Sequence, residues 1–261
     1  MTYRSKIDIN CDMGEAFGAW RLGETDDATL YPLITSANVA AGFHAGDPNH
    51  IDRSVQLAKQ HGVGLGSHPG YGDLQGFGRR TIKAPPAELI NDVIYQMGAV
   101  REFARRHGVP VQHVKLHGAL AVDSAVDEAL SEAFIDMLRT VDPDLPAYGM
   151  HAAVTCRIAQ EKGQPYVREF YADRGYDRSG RIVFARQVAR PDPQALAARV
   201  VRACQEGVVE TVDGETIELP FESICFHSDT PGSLDIIKAI RKALDDAGIR
   251  VVPLPEVLAA S

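Results

Sequence analysis

The chain has 261 residues, 45% of them hydrophobic and 24% charged, with a formal net charge of -8. That balance fits a globular protein with a sizeable core, and the acidic excess argues against a nucleic-acid partner, which calls for a basic face. No apolar run approaches the roughly 18–20 residues of a membrane span, the N-terminus carries no signal-peptide pattern, and the four cysteines are scattered with no C-x-x-C pair, so a cytoplasmic protein with reduced, mostly buried thiols is expected.

Residues 7–12 read as the first strand, with Asp8, Asn10 and Asp12 on one face and Ile7, Ile9 and Cys11 on the other. A polar strand face suits a polar barrel interior or cleft. A Gly-containing loop over 13–20 carries Glu15, and a short helix follows over 26–33. Residues 36–47 begin as a small-residue strand containing Asn38 and end in a Gly-bounded loop that holds His44 and Asp47. Asp47-Pro48 has the N-cap and first-turn chemistry of a helix, which the apolar spacing of Ile51, Val55 and Ala58 extends over 49–60.

Residues 63–68 form the next strand, ending in Gly66-Ser67-His68-Pro69-Gly70, and a loop with four glycines runs over 70–80 to Arg79-Arg80. Pro85-Pro86 opens a long helix to His107 with Leu89, Val93, Met97 and Val100 as its stripe. A strand over 111–117 places His113, Lys115 and His117 in phase. A helix is expected over 123–140, a strand over 147–150, a helix over 152–162, and a strand over 166–173 with Glu169, Tyr171 and Asp173 in phase. A loop over 174–189 begins at Arg174 and allows a hairpin around Ser179-Gly180. A helix over 192–206, a small hairpin over 208–219 turning at Asp213-Gly214 and a strand over 224–229 follow, the last with Cys225, His227 and Asp229 in phase. A helix over 233–247 and the pair Val251-Val252 end the chain.

Strand and helix alternate about seven times with no linker or low-complexity tract. The simplest fold is one α/β domain spanning 1–261: a (β/α) barrel of about seven parallel strands, with an open doubly wound sheet as the alternative. Strands ending repeatedly in a His beside Gly or Pro imply side chains converging on one end of that barrel, where such folds place their chemistry.

Strand parity collects Asp8, Asn10, Asp12, His68, Lys115, His117, Glu169, Asp173, His227 and Asp229, with His44 from its loop. Buried charges on this scale are economical only if they pair with one another or meet a ligand. Asp8 lies at the deep end of its strand and reads as a hydrogen-bond anchor. Asp229 reads either as a cap of the last helix or as a site residue. His113, near its strand start, is expected to lie away from the site, and His50, His61, His107 and His151 read as surface or packing residues. Two chemistries suit the set. In one, a divalent metal held by Asp12, His44, His68 and His117 activates water. In the other, metal-free acid–base chemistry opens an amide, with a carboxylate or His activating water, Lys115 or Arg174 stabilising the oxyanion and a second His protonating the leaving nitrogen. Lys115 and Glu169 are expected to act through charge, with Lys115 held unpaired for a ligand. No phosphate loop, dinucleotide fingerprint or G-x-S-x-G elbow occurs.

The segments 7–15, 36–47, 66–70, Phe77-Gly78-Arg79-Arg80, 113–120 and 170–176 closely resemble the LamB/YcsF family, in order and almost end to end. The resemblance implies a distorted (β/α) barrel related to carbohydrate deacetylases. It also implies ATP-dependent opening of the 5-oxoproline lactam to glutamate by a 5-oxoprolinase, with subunits B and C as partners. Carried over residue by residue, the family pattern lands on Asn10, Asp12, Glu15, His44, Asp47, His68, Lys115, His117, Glu169, Asp173 and Arg174. Catalysis is expected on Asp12, His44, His68, Lys115, His117, Glu169, Asp173 and Arg174, and substrate binding on Asn10, Glu15 and Asp47 together with Asn38 and Arg79. The chain has no nucleotide motif of its own, so the ATP site is expected partly or wholly on a partner. Two readings stay open beside this one: a metal-dependent deacetylase or amidohydrolase acting on another amide, and a non-catalytic carboxylate-binding subunit. Departures from the pattern are Leu116 for the usual Pro, Ala121-Val122 for Tyr-Asn, and Ser228 for Gly; the loss of Tyr-Asn implies a wider pocket beside His117.

Overall fold

A computed structural model describes residues 3–185 and 188–259. Seven parallel strands form the core: β1 (Lys6–Met13), β2 (Ser36–Ala40), β3 (Gly64–His68), β4 (Val111–Lys115), β5 (Ala147–Met150), β6 (Tyr166–Tyr171) and β7 (Ser223–His227). Each pairs with its successor, and β7 returns to pair with β1 through Asn10 opposite Cys225 and Asp12 opposite His227, so the sheet closes into a barrel. That closure rules out the open sheet. A two-residue strand, Arg250–Val251, adds beside the start of β1.

Alternation along each strand sorts the side chains into two environments. Ile7, Ile9, Cys11, Ala37, Val39, Leu65, Phe170, Ile224 and Phe226 face outward and build the main apolar core under the helices. The inward set is polar and buried, including Asp8, Asn10, Asp12, Ser36, Asn38, His113, Lys115, Glu169 and Ser223. Its deep end is closed by Asp8, which accepts hydrogen bonds from Thr35 Oγ1 (2.6 Å), Ser36 Oγ (2.8 Å), Tyr148 OH (3.3 Å) and Ser223 Oγ. A buried carboxylate with four hydroxyl donors is a satisfied anchor.

The surrounding helices are α1 (Pro48–His61), α2 (Pro86–His107), α3 (Gly118–Ser124), α4 (Glu128–Val141), α5 (Val154–Lys162), α6 (Pro193–Glu206), α7 (Ser233–Asp246) and α8 (Leu254–Leu258). The single helix expected over 123–140 is two. Asp127 accepts a hydrogen bond from the Leu130 amide and so starts α4 afresh, while α3 begins directly after His117. The short ribbon pairing Ala16–Phe17 with Trp20–Arg21 and the terminal α8 lie where loop or strand was expected. An isolated bridge, Tyr176 to Ile182, supports the hairpin around Ser179-Gly180; Arg186 and Gln187 of that loop lie outside the described residues. No helix among the described residues is long and apolar enough to cross a membrane.

Candidate active site

Lys115 ends β4 inside the barrel mouth. Its Nζ lies 2.9 Å from Asp12 Oδ1, 3.3 Å from Glu169 Oε1 and 3.0 Å from Cys225 Sγ, and 5.5 Å from the Tyr171 ring centre. Burial works against its ammonium, but Asp12 and Glu169 outweigh that and hold its pKa well above the ordinary lysine value. Burial likewise opposes the charge of Asp12, yet His68 and Lys115 keep its carboxyl well below the usual carboxylate range. Lys115 is therefore paired, which corrects the expectation that it waits unpaired for a ligand. Tyr171 OH donates to Glu169 Oε2 at 2.8 Å and fixes that carboxylate.

Above this pair sits a second cluster: Glu15, His44, His68 and His117, all buried, with one donor atom from each within 4.8 Å of the others. Backbone carbonyls set the imidazole protons. His68 Nδ1 donates to Lys115 O (2.8 Å) and His117 Nε2 donates to Phe77 O (2.8 Å). Their other nitrogens, His68 Nε2 and His117 Nδ1, face each other at 3.0 Å. Glu15 Oε1 lies 3.3 Å from His117 Nδ1 and 3.4 Å from His44 Nε2, and 3.9 Å from His68 Nε2. Among the described residues, neither Glu15 Oε1 nor either ring nitrogen of His44 has a hydrogen-bond partner. The His44 and His117 rings stack at 3.6 Å. Burial, with His68 beside them, lowers the pKa of both His44 and His117 well below the ordinary value, while burial and Asp12 push Glu15 well above its own. The neutral His44 and His117 imidazoles, with His68 and the Glu15 carboxyl beside them, form a donor set that could hold a divalent transition metal.

Local backbone holds this cluster in place. Phe77 has φ 53°, an uncommon conformation for a residue with a side chain, and it aims its carbonyl at His117. Next to it Gly78, at φ 60°, leaves no room for a side chain: a Cβ there would lie 2.7 Å from the His44 Cβ and 2.8 Å from the His117 ring.

A cavity opens onto both clusters, lined by Asp12, His68, Lys115, His117, Tyr171 and His227, with Arg79, Arg174, Ala121 and Val122 around it. His227 Nδ1 donates to Asp173 Oδ1 at 2.9 Å, so its Nε2 is the nitrogen turned toward the site, 3.7 Å from Asp12 Oδ2. Asp173 also accepts from Thr230 Oγ1 (2.6 Å) and pairs with Arg174 (2.9 Å). Against the cost of its burial, His227 and Arg174 hold it below the usual carboxylate range. Arg79 pairs with Asp229 Oδ2 at 2.7 Å. Asp229 does not cap the last helix of the barrel wall, α7, whose N-cap is Gly232 with no side-chain bond.

The residues expected at the site divide by position. Asp12, Lys115, Glu169, His68, His117, Asp173, Arg174 and Arg79 gather at the cavity and its immediate support. His44 and Glu15 stand in the cluster behind it, with Glu15 occupying the place among the three histidines that was expected of Asp12. Asn10 and Asn38 lie beneath in the buried polar layer. Asp47 is elsewhere: it caps α1 through the Asn49 and His50 amides and holds the Gly18 amide at 2.7 Å. Sequence reasoning misses Thr230, the Phe77 carbonyl and His113. His113 is buried within the barrel and bonds to Asn38, so it is not remote; its phase with Lys115 is the signal that could have found it.

The chain matches the family model described as LamB/YcsF over residues 7–259. A Pseudomonas aeruginosa protein named as an A subunit of 5-oxoprolinase is 54% identical over 247 residues, covering 95% of this chain and 98% of its own. A Pyrococcus abyssi protein of the same name is 40% identical over 255 residues, covering 97% and 99%. The crystal structure of a lactam utilization protein from Thermus thermophilus superposes with a TM-score of 0.86 at 38% identity, covering 94% of this chain and 98% of that one.

Proposed function

The chain belongs to the LamB/YcsF family, and from that premise we propose that it is the A subunit of an ATP-dependent 5-oxoprolinase, which hydrolyses the lactam amide of 5-oxo-L-proline to L-glutamate with subunits B and C. The observation that carries the reading is Lys115, a buried ammonium fixed between Asp12 and Glu169 beside a cavity whose walls present His68, His117 and His227. Opening a lactam adds water oxygen to the carbonyl carbon, breaks the carbon–nitrogen bond and leaves a proton on the nitrogen. Lys115 stabilises the oxyanion that forms on the carbonyl oxygen. His227, held in one tautomer by Asp173, takes the proton of the attacking water at Nε2 and returns it to the leaving nitrogen. Arg79 and Arg174 line the cavity, each paired with an aspartate, and their guanidinium groups are assigned to the substrate carboxylate.

A five-membered lactam is stable; transfer of the γ-phosphoryl group of ATP to its carbonyl oxygen, with release of ADP, activates the carbon for attack. The C–N bond then breaks to leave an acyl phosphate, and a second water splits that into glutamate and inorganic phosphate. On this route Lys115 faces the phosphorylated oxygen in place of a bare oxyanion. The sequence holds no phosphate loop, so the nucleotide is assigned partly or wholly to a partner. A second reading, a metal-dependent amidohydrolase, is favoured by the bare nitrogens of the His cluster. Glu15, His44, His68 and His117 would hold the ion, which when bound polarises a carbonyl or lowers the pKa of water. The test is glutamate release from 5-oxoproline with ATP, measured with and without subunits B and C. Turnover only in the full set supports the proposal. ATP-independent deacetylation of N-acyl substrates by the chain alone supports the second reading.

A further inference from the structure

His113 is a buried imidazole inside the barrel that the proposed reaction leaves without a role. Its Nε2 donates to Asn38 Oδ1 at 2.7 Å. With the oxygen so occupied, the Asn38 amide nitrogen points the other way and donates to Asp12 Oδ1 (2.8 Å) and Asn10 Oδ1 (2.9 Å). Asp12 Oδ1 is also the oxygen that Lys115 grips at 2.9 Å. A flipped Asn38 would turn its oxygen onto two acceptor oxygens and its nitrogen onto a donor. The oxygens of Asp12 and Asn10 set which way the amide faces, and the His113 N–H holds it there by satisfying the Asn38 oxygen.

The ring itself is locked. It stacks on Tyr148 with centres 4.2 Å apart, and it occupies the space a side chain at position 66 would need. A Cβ on Gly66 would lie 2.1 Å from His113 Nε2 and 2.3–2.5 Å from neighbouring ring carbons. His113 Nδ1 has no partner among the described residues. The ring therefore has a single hydrogen bond, and that bond orients an amide that in turn orients the Asp12–Lys115 pair.

We propose that His113 is a positioning residue for the reaction: its proton fixes the Asn38 amide, and the amide fixes Asp12 Oδ1 so that Lys115 is aimed at the cavity. The proposal rests on Lys115 acting in the proposed hydrolysis, so its test has an arm independent of turnover. In protein labelled with ¹⁵N at asparagine side chains, the Asn38 amide protons exchange slowly with solvent in the wild type. They exchange at least tenfold faster in His113→Phe, which keeps the ring volume without the donor. His113→Gln, which keeps a donor, restores slow exchange. In the reconstituted complex, His113→Phe lowers kcat about 10- to 100-fold with KM within about threefold, the scale of a small misplacement of a reacting group. His113→Gln recovers most of that loss, and Gly66→Ala, which pushes on the ring without removing a polar group, reproduces it in part. His113→Phe with slow Asn38 exchange, or with wild-type kcat per folded molecule, overturns the proposal. Absence of turnover in the wild type refutes the proposed function and leaves the exchange comparison to decide the role of His113.

Discussion

His117 Nδ1 and His68 Nε2 face each other at 3.0 Å, and with both rings neutral neither would have a proton for the other, because each N–H goes to a backbone carbonyl. Two lone pairs this close need a cation or an added proton between them. Glu15 Oε1, without a hydrogen-bond partner among the described residues, completes the same gap. The first prediction is that chelator-treated protein binds one Zn²⁺ or Co²⁺ per chain. At 100-fold excess over Kd the ion adds about 2.7 kcal/mol of stability, read as a rise of several degrees in Tm. Glu15→Gln and His44→Ala each weaken binding by about tenfold or more, and binding releases protons as Glu15 ionises. Calorimetry and the Co²⁺ visible spectrum check this. A flat titration contradicts it and leaves a proton shared by Glu15 and the histidines to fill the gap.

Lys115 is shared by two buried carboxylates. Lys115→Met leaves Asp12 and Glu169 uncompensated and lowers stability by about 3–5 kcal/mol, the usual cost of breaking a buried pair from one side. Adding Glu169→Gln to that variant removes one stranded charge and regains part of the loss, with no return of activity. Thermal melts and turnover on the same preparations measure both. A Lys115→Met melt equal to wild type contradicts the pairing.

Burial, with Lys115 nearby, pushes the His113 pKa down to about 3. The folded state thus keeps this ring neutral while the unfolded chain protonates it below about pH 6.5. Protons favour unfolding in that window, so the contribution is complete above about pH 6.5 and is lost as pH falls toward the folded value. His113 alone supplies up to about 1.4 kcal/mol per pH unit there. Denaturant unfolding from about pH 7 to 5 should show a shallower dependence of stability on pH in His113→Gln than in the wild type. Equal slopes contradict it.

Ala121 and Val122 line the cavity at the positions where the resemblance implies Tyr-Asn. Ala121→Tyr fills space beside His117, so the variant should discriminate against ring-substituted lactams relative to 5-oxoproline by roughly 10-fold or more in kcat/KM, on the scale that a pocket contact controls. Wild-type discrimination in the variant contradicts a substrate-facing position 121.

The barrel is legible in the sequence because its strands alternate so strictly: Asp8, Asn10 and Asp12 against Ile7, Ile9 and Cys11 give both the inside and the outside of β1. The same parity brings Lys115, Glu169 and His227 together. Four features escape it. The Ala125-Val126 break between α3 and α4 depends on one capping bond from Asp127, which a continuous helical pattern conceals. Glu15 follows β1 in a loop, where no period says which way a side chain points. Asp47 reads from the sequence both as the N-cap of α1 and as a substrate ligand; the cap is there, and what escapes is that the capped amides take its oxygens. His113 lies in the middle of β4, one inward step below Lys115, and parity gives the face of a side chain but not how far its hydrogen bonds reach.

The central claim is tested most directly by supplying this chain to subunits B and C of a 5-oxoprolinase that lacks its own A subunit, and measuring glutamate formed from 5-oxoproline with ATP. The account predicts that wild-type protein restores ATP-dependent glutamate release and that Lys115→Met and His227→Ala, assayed as folded protein, do not. Failure of the wild-type chain to restore release, or full release with Lys115→Met, contradicts it.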